Sequence, residues 1–190
     1  YGTGAFVSSF VLLGKYGLSR GFDAYDDGFH DQRHPEIVER RAGDTLRRAR
    51  DWLSRKKQPW FCWVHLYDPH IPYDPPPPYD KRFKSQPYDG EVAYMDAQLG
   101  AFLQHLERSG ILGSTVVVIC GDHGESLGEH GELTHGIFLY EATTRVPLLV
   151  HLPGQTEGDH FSDTVGLVAL SPTLRALCAL PATASDGASL

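Results

Sequence analysis

The hydrophobic residues of this chain fall into short runs separated by polar segments that are rich in glycine and proline. Four runs have the length of β-strands and lie at residues 5–12, 60–66, 115–120 and 145–152. They are rich in aromatic and β-branched residues, which strands favour. The run TVVVIC at 115–120 is apolar on both faces, which is typical of strands inside a mostly parallel sheet. These runs therefore predict a sheet.

Apolar residues at helical spacing predict three helices between or after these runs. The first lies within residues 35–57, the second spans 90–109 and ends at Gly110 as its C-terminal cap, and the third spans 172–180 after an N-capping Ser171. Strands and helices alternate, so the predicted fold class is α/β, with a mixed, mostly parallel sheet covered by helices on both faces. The apolar faces of the first two helices are predicted at Ala42, Leu46, Ala49 and Leu53, and at Val92, Met95, Leu99, Phe102 and Leu106.

The composition narrows the class of protein. Among 190 residues, 17 are Lys or Arg and 24 are Asp or Glu, for a net charge of −7, which argues against a nucleic-acid binder. No apolar run reaches the roughly 18 residues of a transmembrane helix. Cys62 and Cys120 lie inside hydrophobic runs and are predicted to be buried free thiols. The chain starts at Tyr1 and its one methionine is internal, so we expect it to be a piece of a longer protein.

Potential metal ligands crowd the segment that follows the third strand. Asp122 and His123 come directly after the strand, between two glycines, at the kind of strand end where ligands bind in α/β sheets. A carboxylate beside an imidazole suits a divalent ion such as Zn²⁺, Mn²⁺ or Ca²⁺. The alternative is a solvated acidic loop whose histidines only form hydrogen bonds. The remaining candidate side chains of this segment are Glu125, Glu129, His130, Glu132 and His135.

A second polar cluster, VHLYDPHIPY, follows the strand at 60–66. His65 belongs to the apolar run and is interpreted as a core histidine. His70 lies between prolines, which stiffen its backbone and suit it to donate a proton to an anionic substrate, although a structural role is an equal alternative. Asp68 is expected either to orient His70 or to cap the turn.

Four segments in order resemble the sulfatase family of the alkaline phosphatase superfamily: HLYDPHIPYDPP, GDHGE, YEATTRVPLLVHLPG, and VALSPTLRAL with DGASL. The resemblance extends over nearly the whole chain. It implies that residues 1–190 are the C-terminal portion of one catalytic domain, and that the parent protein is a metal-dependent hydrolase of small-molecule, carbohydrate or lipid sulfate esters. It also implies a periplasmic or extracellular location.

The resemblance further implies roles for individual residues. Asp122 and His123 would be metal ligands, and His70 would contact the sulfate and help to protonate the leaving oxygen. His135 lies where many sulfatases have a lysine near the substrate oxygens. Many arylsulfatases have asparagine at the position of His123, and calcium is the usual metal with that asparagine. The resemblance therefore favours calcium, while the histidine of this chain also admits manganese or zinc.

Sulfatases carry a Cys or Ser in a C/S-x-P-x-R motif that is converted to formylglycine, the nucleophile. None of the three cysteines, Cys62, Cys120 and Cys178, is followed by that Pro and Arg. We therefore expect the formylglycine in a missing N-terminal part, and we expect this chain alone to be inactive.

Two alternatives stay open. The segment DHGESLGEHGELTHG also resembles phosphoethanolamine transferases, which have a histidine thirteen residues after the aspartate, so a phosphoester hydrolase or transferase of the same superfamily is the first alternative. The second is a non-catalytic homologue that acts as a binding module.

Overall fold

The computed structural model describes residues 1–29, 39–57, 59–184 and 187–190, which divide into two compact units, Tyr1–Ser109 and Gly110–Leu190. The first unit contains β1 (Gly2–Phe6), β2 (Ala24–Asp26), α1 (Ala42–Leu53), β3 (Trp60–Val64), α2 (Tyr79–Arg82) and α3 (Pro87–Arg108). The second contains β4 (Val117–Cys120), α4 (Glu141–Thr144), β5 (Leu148–His151) and α5 (Leu170–Leu177). The predicted α/β class is confirmed.

The first unit is a parallel sheet with helices packed on it. Its strands lie in the order β2-β1-β3, and β1 pairs in parallel with both neighbours. The predicted strand at 5–12 is shorter and earlier than expected, because the chain turns into a 3-10 helix at Phe10–Leu12. The predicted strand at 60–66 ends at Val64, and Phe61 within it is exposed. The carboxyl ends of β1 and β3 therefore lie side by side.

Helix α1 covers this sheet with the face that the periodicity predicts. Ala42, Leu46, Ala49 and Leu53 are all buried. Trp52 packs edge-on against Phe6, with ring centroids 5.9 Å apart. It also lies over Gly4, where a Cβ would come within 2.8 Å of the indole, so only glycine permits this approach. The beginning of the predicted region, residues 35–38, lies outside the described residues.

Helix α3 runs one turn further toward the N-terminus than predicted and begins with Pro87. Gly110 after it has a φ of 71°, as expected of a C-terminal glycine cap. The buried face differs from the prediction: Leu106 is buried, but Val92 is exposed, and the charged Glu91 is buried instead. Glu91 is buried because its carboxyl group forms hydrogen bonds with the backbone of a neighbouring loop.

In the second unit, the apolar run at 115–120 does not form the predicted interior strand of a mostly parallel sheet. β4 pairs antiparallel with β5, with Val118 opposite Val150. Cys120 is exposed at the end of β4, so its predicted burial is wrong. Helix α5 begins at Leu170 after Ala169, and no side chain caps it, so the predicted cap at Ser171 is also wrong. No helix among the described residues is long and apolar enough to cross a membrane.

Candidate active site

In the first unit, the candidate residues lie on the loop that leaves β3 at the carboxyl end of the sheet. The His65 amide donates to the Phe6 carbonyl at 2.9 Å, and the Ser8 hydroxyl donates to the His65 carbonyl at 2.8 Å. These bonds fix the start of the loop against β1. The loop then runs through residues 68–74, which are referred to below as the His70 loop.

The imidazole of His70 has both ring nitrogens within hydrogen-bond distance of a partner. Nδ1 lies 2.7 Å from the Ile71 carbonyl oxygen, which can only accept, so Nδ1 carries a proton. Nε2 lies 3.2 Å from the hydroxyl of Tyr67, and the two rings stack with centroids 4.2 Å apart. In a neutral ring, Nε2 therefore has the lone pair and is the acceptor.

Glu91, on α3, binds the backbone of the His70 loop at two points. Its Oε2 accepts from the His70 amide at 3.1 Å, and its Oε1 accepts from the Asp74 amide at 2.8 Å. The side chain is 6 % exposed. Burial raises the pKa of Glu91 to about 7, against the opposing effect of these two amides.

Asp68 and Arg41 complete the attachment of this loop. The Oδ2 of buried Asp68 accepts from the Ala42 amide at 2.7 Å, so it caps the N-terminus of α1 instead of orienting His70. The Arg41 guanidinium lies 3.5 Å from Asp68, 3.9 Å from Glu91 and 2.9 Å from Asp74. Burial raises the pKa of Asp68, opposed by the Ala42 amide and by Arg41. The loop is thus attached to both helices.

In the second unit, Asp122 and His123 follow β4 directly, as predicted. The Oδ1 of Asp122 accepts from the His123 amide at 3.0 Å and lies 3.9 Å from His123 Nε2. His123 Nδ1 lies 2.9 Å from the Gly124 carbonyl, so Nδ1 carries the proton and Nε2 has the lone pair. Both side chains are accessible, with exposures of 77 % for Asp122 and 44 % for His123.

Gly124 holds this segment against α4. Its amide donates to the Thr143 carbonyl at 2.8 Å, and a Cβ at this position would lie 2.0 Å from the Ala142 carbonyl oxygen. No side chain fits there, so the glycine of the GDHG segment is required by the close approach of two backbones. The direction of the chain after His123 follows from this contact.

His135 joins His123 in the same unit. Their ring centroids are 4.1 Å apart, and His135 Nδ1 lies 3.1 Å from Oε1 of Glu125. Because the Glu125 side chain is only 7 % exposed, its carboxylate is a fixed partner that orients the imidazole. The third histidine of the segment, His130, instead stacks on Tyr140 with centroids 4.0 Å apart.

The donor set fits part of a metal site. The Asp122 carboxylate and the His123 Nε2 lone pair are adjacent, and the carbonyl at Nδ1 selects the tautomer that a metal-binding histidine needs. Within the described part of the chain, no group of three or more His, Cys, Asp or Glu side chains is arranged to hold an ion. Asp122 and His123 can therefore provide two ligands.

Other sequence expectations have mixed outcomes. The predicted pair of Arg145 with Glu141 is present at 3.7 Å on the surface. Cys62 is half-buried, which is less than predicted, and burial raises the pKa of its thiol to about 12. Sequence reasoning missed Tyr67, Arg41 and Glu91. The one signal for Glu91 was a carboxylate beside Gly90 at the start of the helix, and that pattern alone does not distinguish it from a solvated residue.

Comparison with known protein families gives a match over most of the chain. The model of the Sulfatase family matches residues 14–178. The chain is 33 % identical to the iduronate 2-sulfatase of Mus musculus over 136 residues, which is 58 % of this chain and 24 % of that protein. It is 34 % identical to the choline-sulfatase of Rhizobium meliloti (strain 1021) over 93 residues, 49 % of this chain and 18 % of that protein.

Solved structures share the fold at lower identity. The phosphonate monoester hydrolase of Agrobacterium radiobacter superposes with a TM-score of 0.81 at 19 % identity, covering 100 % of this chain and 58 % of that chain. A protein solved in complex with its substrate, D-glucosamine-2-N,6-O-disulfate, superposes with a TM-score of 0.80 at 18 % identity, covering 100 % of this chain and 61 % of the other.

Proposed function

The chain belongs to the sulfatase family, and on that premise we propose that the whole protein hydrolyses sulfate esters with the help of a divalent metal ion. The observation that carries the proposal is the pairing of the Asp122 carboxylate with His123 Nε2, whose lone pair is selected by the bond from Nδ1 to the Gly124 carbonyl. The names of the relatives, which include sulfatases of a sugar acid and of choline, support a sulfate ester as the substrate class.

Asp122 and His123 are the proposed metal ligands from this chain. Calcium is the favoured ion, and manganese or zinc are the alternatives, since an imidazole ligand is also suited to those two. A bound divalent ion would supply positive charge that stabilises the charge developing on the ester oxygens. Asp122 and His123 contribute one anionic oxygen and one neutral nitrogen to it, and further ligands would come from other residues.

His70 is the proposed proton donor to the leaving oxygen. Its Nδ1–H is engaged by the Ile71 carbonyl, so the proton that it can transfer is the one on Nε2 of the imidazolium form. After transfer, Nε2 has a lone pair that accepts from the Tyr67 hydroxyl. The stacked Tyr67 ring, together with the hydrogen bonds from the backbone amides of His70 and Asp74 to Glu91, holds the imidazole in one orientation.

His135 is proposed to bind substrate oxygens through its imidazole. Glu125 orients this ring from a nearly buried position, and this arrangement supports a fixed donor. The nucleophile would be a formylglycine outside the sequence of this chain, because the 190 residues contain no C/S-x-P-x-R motif. The chain alone would then bind metal weakly and would not turn over substrate.

The experiment that tests the proposal measures turnover of a series of aryl sulfates by the whole protein, with and without His70→Ala. We expect the substitution to lower kcat by about 100-fold or more for esters with poor leaving groups, and much less for good ones, because only poor leaving groups need a proton. The exposed His160 provides the control, His160→Ala. Equal losses for all leaving groups would refute the proton-donor role.

A phosphoester reaction is the second candidate, favoured by the histidine thirteen residues after Asp122. The same assay, run with phosphate diesters and phosphonate monoesters, separates the two. A kcat/KM for these substrates above that for sulfate esters would overturn the proposal in favour of phosphoester hydrolysis, and no turnover of either class would favour a binding module.

A further inference from the structure

We propose that Glu91 is a positioning residue that sets the backbone of the His70 loop and, through it, the imidazole of His70. The inference rests on the proposed role of His70 as proton donor. Glu91 lies on α3, 21 positions beyond His70, and no pattern in the sequence joins the two. Their connection is a property of the fold.

The geometry uses the whole carboxylate. One oxygen accepts from the His70 amide and the other from the Asp74 amide, at 3.1 and 2.8 Å. The two amides are four residues apart, so a single rigid group sets both ends of the turn that carries the imidazole. Helix α3 has 22 residues and provides a firm base for this group.

The two amides select a side chain with two acceptor oxygens and not merely a polar group. Two N–H donors converge on Glu91, and a carboxylate is the side chain that offers two acceptor atoms and no competing donor. Glutamine has the same shape, but its NH₂ group would face one of the amides. One of the two hydrogen bonds would then be lost, because the glutamine NH₂ group and the backbone N–H are both donors. That backbone amide would be left buried without an acceptor.

The packing beside Glu91 brings the loop onto the helix. At Gly90, a Cβ would come within 2.8 Å of the Pro75 ring, so the absence of a side chain allows the loop to reach the carboxylate. On the other side, the Arg41 guanidinium lies between the carboxylates of Glu91, Asp68 and Asp74. Glu91 therefore binds the loop by direct hydrogen bonds at a place where the loop packs closely on the helix.

This position is costly in electrostatic terms. Three carboxylates surround one guanidinium, and Glu91 and Asp68 are both buried. Burial raises the pKa of Glu91, so its charged form is disfavoured at this site. The site keeps a buried carboxyl group against this cost, and what that group binds is the backbone of the His70 loop.

The test compares Glu91→Gln with Glu107→Gln, an exposed glutamate on the same helix, in the whole protein. We expect Glu91→Gln to lower kcat by about 10- to 100-fold with little change in KM, because a misplaced donor affects the transition state more than binding. The loss should grow as the leaving group becomes poorer. In the His70→Ala background, Glu91→Gln should cost less than about twofold, because the two residues act as a unit.

Hydrogen exchange of the backbone amides tests the same inference without any assay of activity. In the wild-type protein, the amides of His70 and Asp74 should exchange slowly, and Glu91→Gln should raise their rates by about tenfold or more while Glu107→Gln leaves them unchanged. Fast exchange of both amides in the wild-type protein would overturn the inference even if the variant failed to fold. So would an effect of Glu91→Gln that simply adds to that of His70→Ala.

The two arms separate failures of the two proposals. If the exchange rates respond as expected but His70→Ala leaves turnover unchanged, the proposed function of His70 is wrong, and Glu91 does not act in catalysis through it. If His70→Ala gives the expected dependence on the leaving group but Glu91→Gln affects neither exchange nor turnover, the positioning role alone is wrong.

Discussion

The rings of Tyr67 and His70 lie face to face, 4.2 Å apart between centroids, and the Tyr67 hydroxyl lies 3.2 Å from His70 Nε2. Burial raises the pKa of Tyr67, so its hydroxyl stays protonated at neutral pH and can donate. Once Nε2 has given its proton to the leaving oxygen, the hydroxyl donates to the lone pair that remains, so it stabilises the neutral ring that the proposed transfer produces.

Tyr67→Phe keeps the stacking and removes this hydrogen bond. We expect kcat to fall by about 3- to 10-fold, which corresponds to the net free energy of one hydrogen bond. Steady-state kinetics of the whole protein on an ester with a poor leaving group measures the effect. Tyr16→Phe, at an exposed tyrosine, is the control. An unchanged kcat would mean that the hydroxyl plays no part in the transfer.

Metal content tests the ligand assignment directly. His123→Ala removes the imidazole whose Nε2 lone pair is selected by the Gly124 carbonyl, so we expect the affinity of the whole protein for its metal to fall by about 100-fold or more. Elemental analysis after dialysis against a metal buffer measures this. His130→Ala is the matched control in the same segment, because His130 stacks on Tyr140. Equal metal content in all three proteins would sink the assignment.

Much of the fold could be predicted because it depends on periodic apolar burial. The buried face of α1 follows directly from Leu46, Ala49 and Leu53 at helical spacing. The same reasoning placed β4 inside a mostly parallel sheet, which is wrong. An apolar run indicates that a strand is present, but it does not indicate which strand it pairs with or in which direction. Here the partner is β5, and the pairing is antiparallel.

The candidate site divides in the same way. Asp122 and His123 could be found because they are adjacent in the sequence and follow a strand. Glu91 could not, because its role depends on the His70 loop folding back onto α3, and an apolar period places Val92 in the core instead. The backbone amides of the His70 loop need an acceptor, and Glu91 provides it. The residues next to Glu91 in the sequence do not indicate this role.

The pairing of Glu125 with His135 predicts coupled effects. Glu125→Ala removes the nearly buried carboxylate that orients the ring, so we expect it to lower kcat/KM by about 10- to 100-fold, close to the effect of His135→Ala. The double variant should be little worse than either single variant. Kinetics of the three variants on one aryl sulfate measure this, with Glu157→Ala, at an exposed glutamate, as the control. Fully additive losses would show that the two residues act independently.

The last prediction concerns stability against pH. The pKa of Glu91 is 4.5 for the free side chain and about 7 in the folded protein, because burial penalises its charge. The charge of Asp68 also raises this pKa, while the amides of Asp74 and His70 and the Arg41 guanidinium lower it. The folded state therefore holds this proton more tightly than the unfolded state. The resulting stabilisation is complete below about pH 4.5 and is lost as the pH rises through about 7.

Glu91→Gln has no proton to lose at this position, so the variant should not show this loss. The free energy of unfolding of Glu91→Gln minus that of wild type should therefore increase by about 3 kcal/mol from pH 4.5 to pH 8. Denaturant unfolding of both proteins at the two pH values measures the difference, and the contributions of titrating groups far from Glu91 cancel in it. Glu107→Gln should follow the wild-type curve. If the free energies of unfolding of Glu91→Gln and wild type differed by the same amount at both pH values, the pKa of Glu91 would not be raised. The buried carboxyl group would then hold the His70 loop without an electrostatic cost.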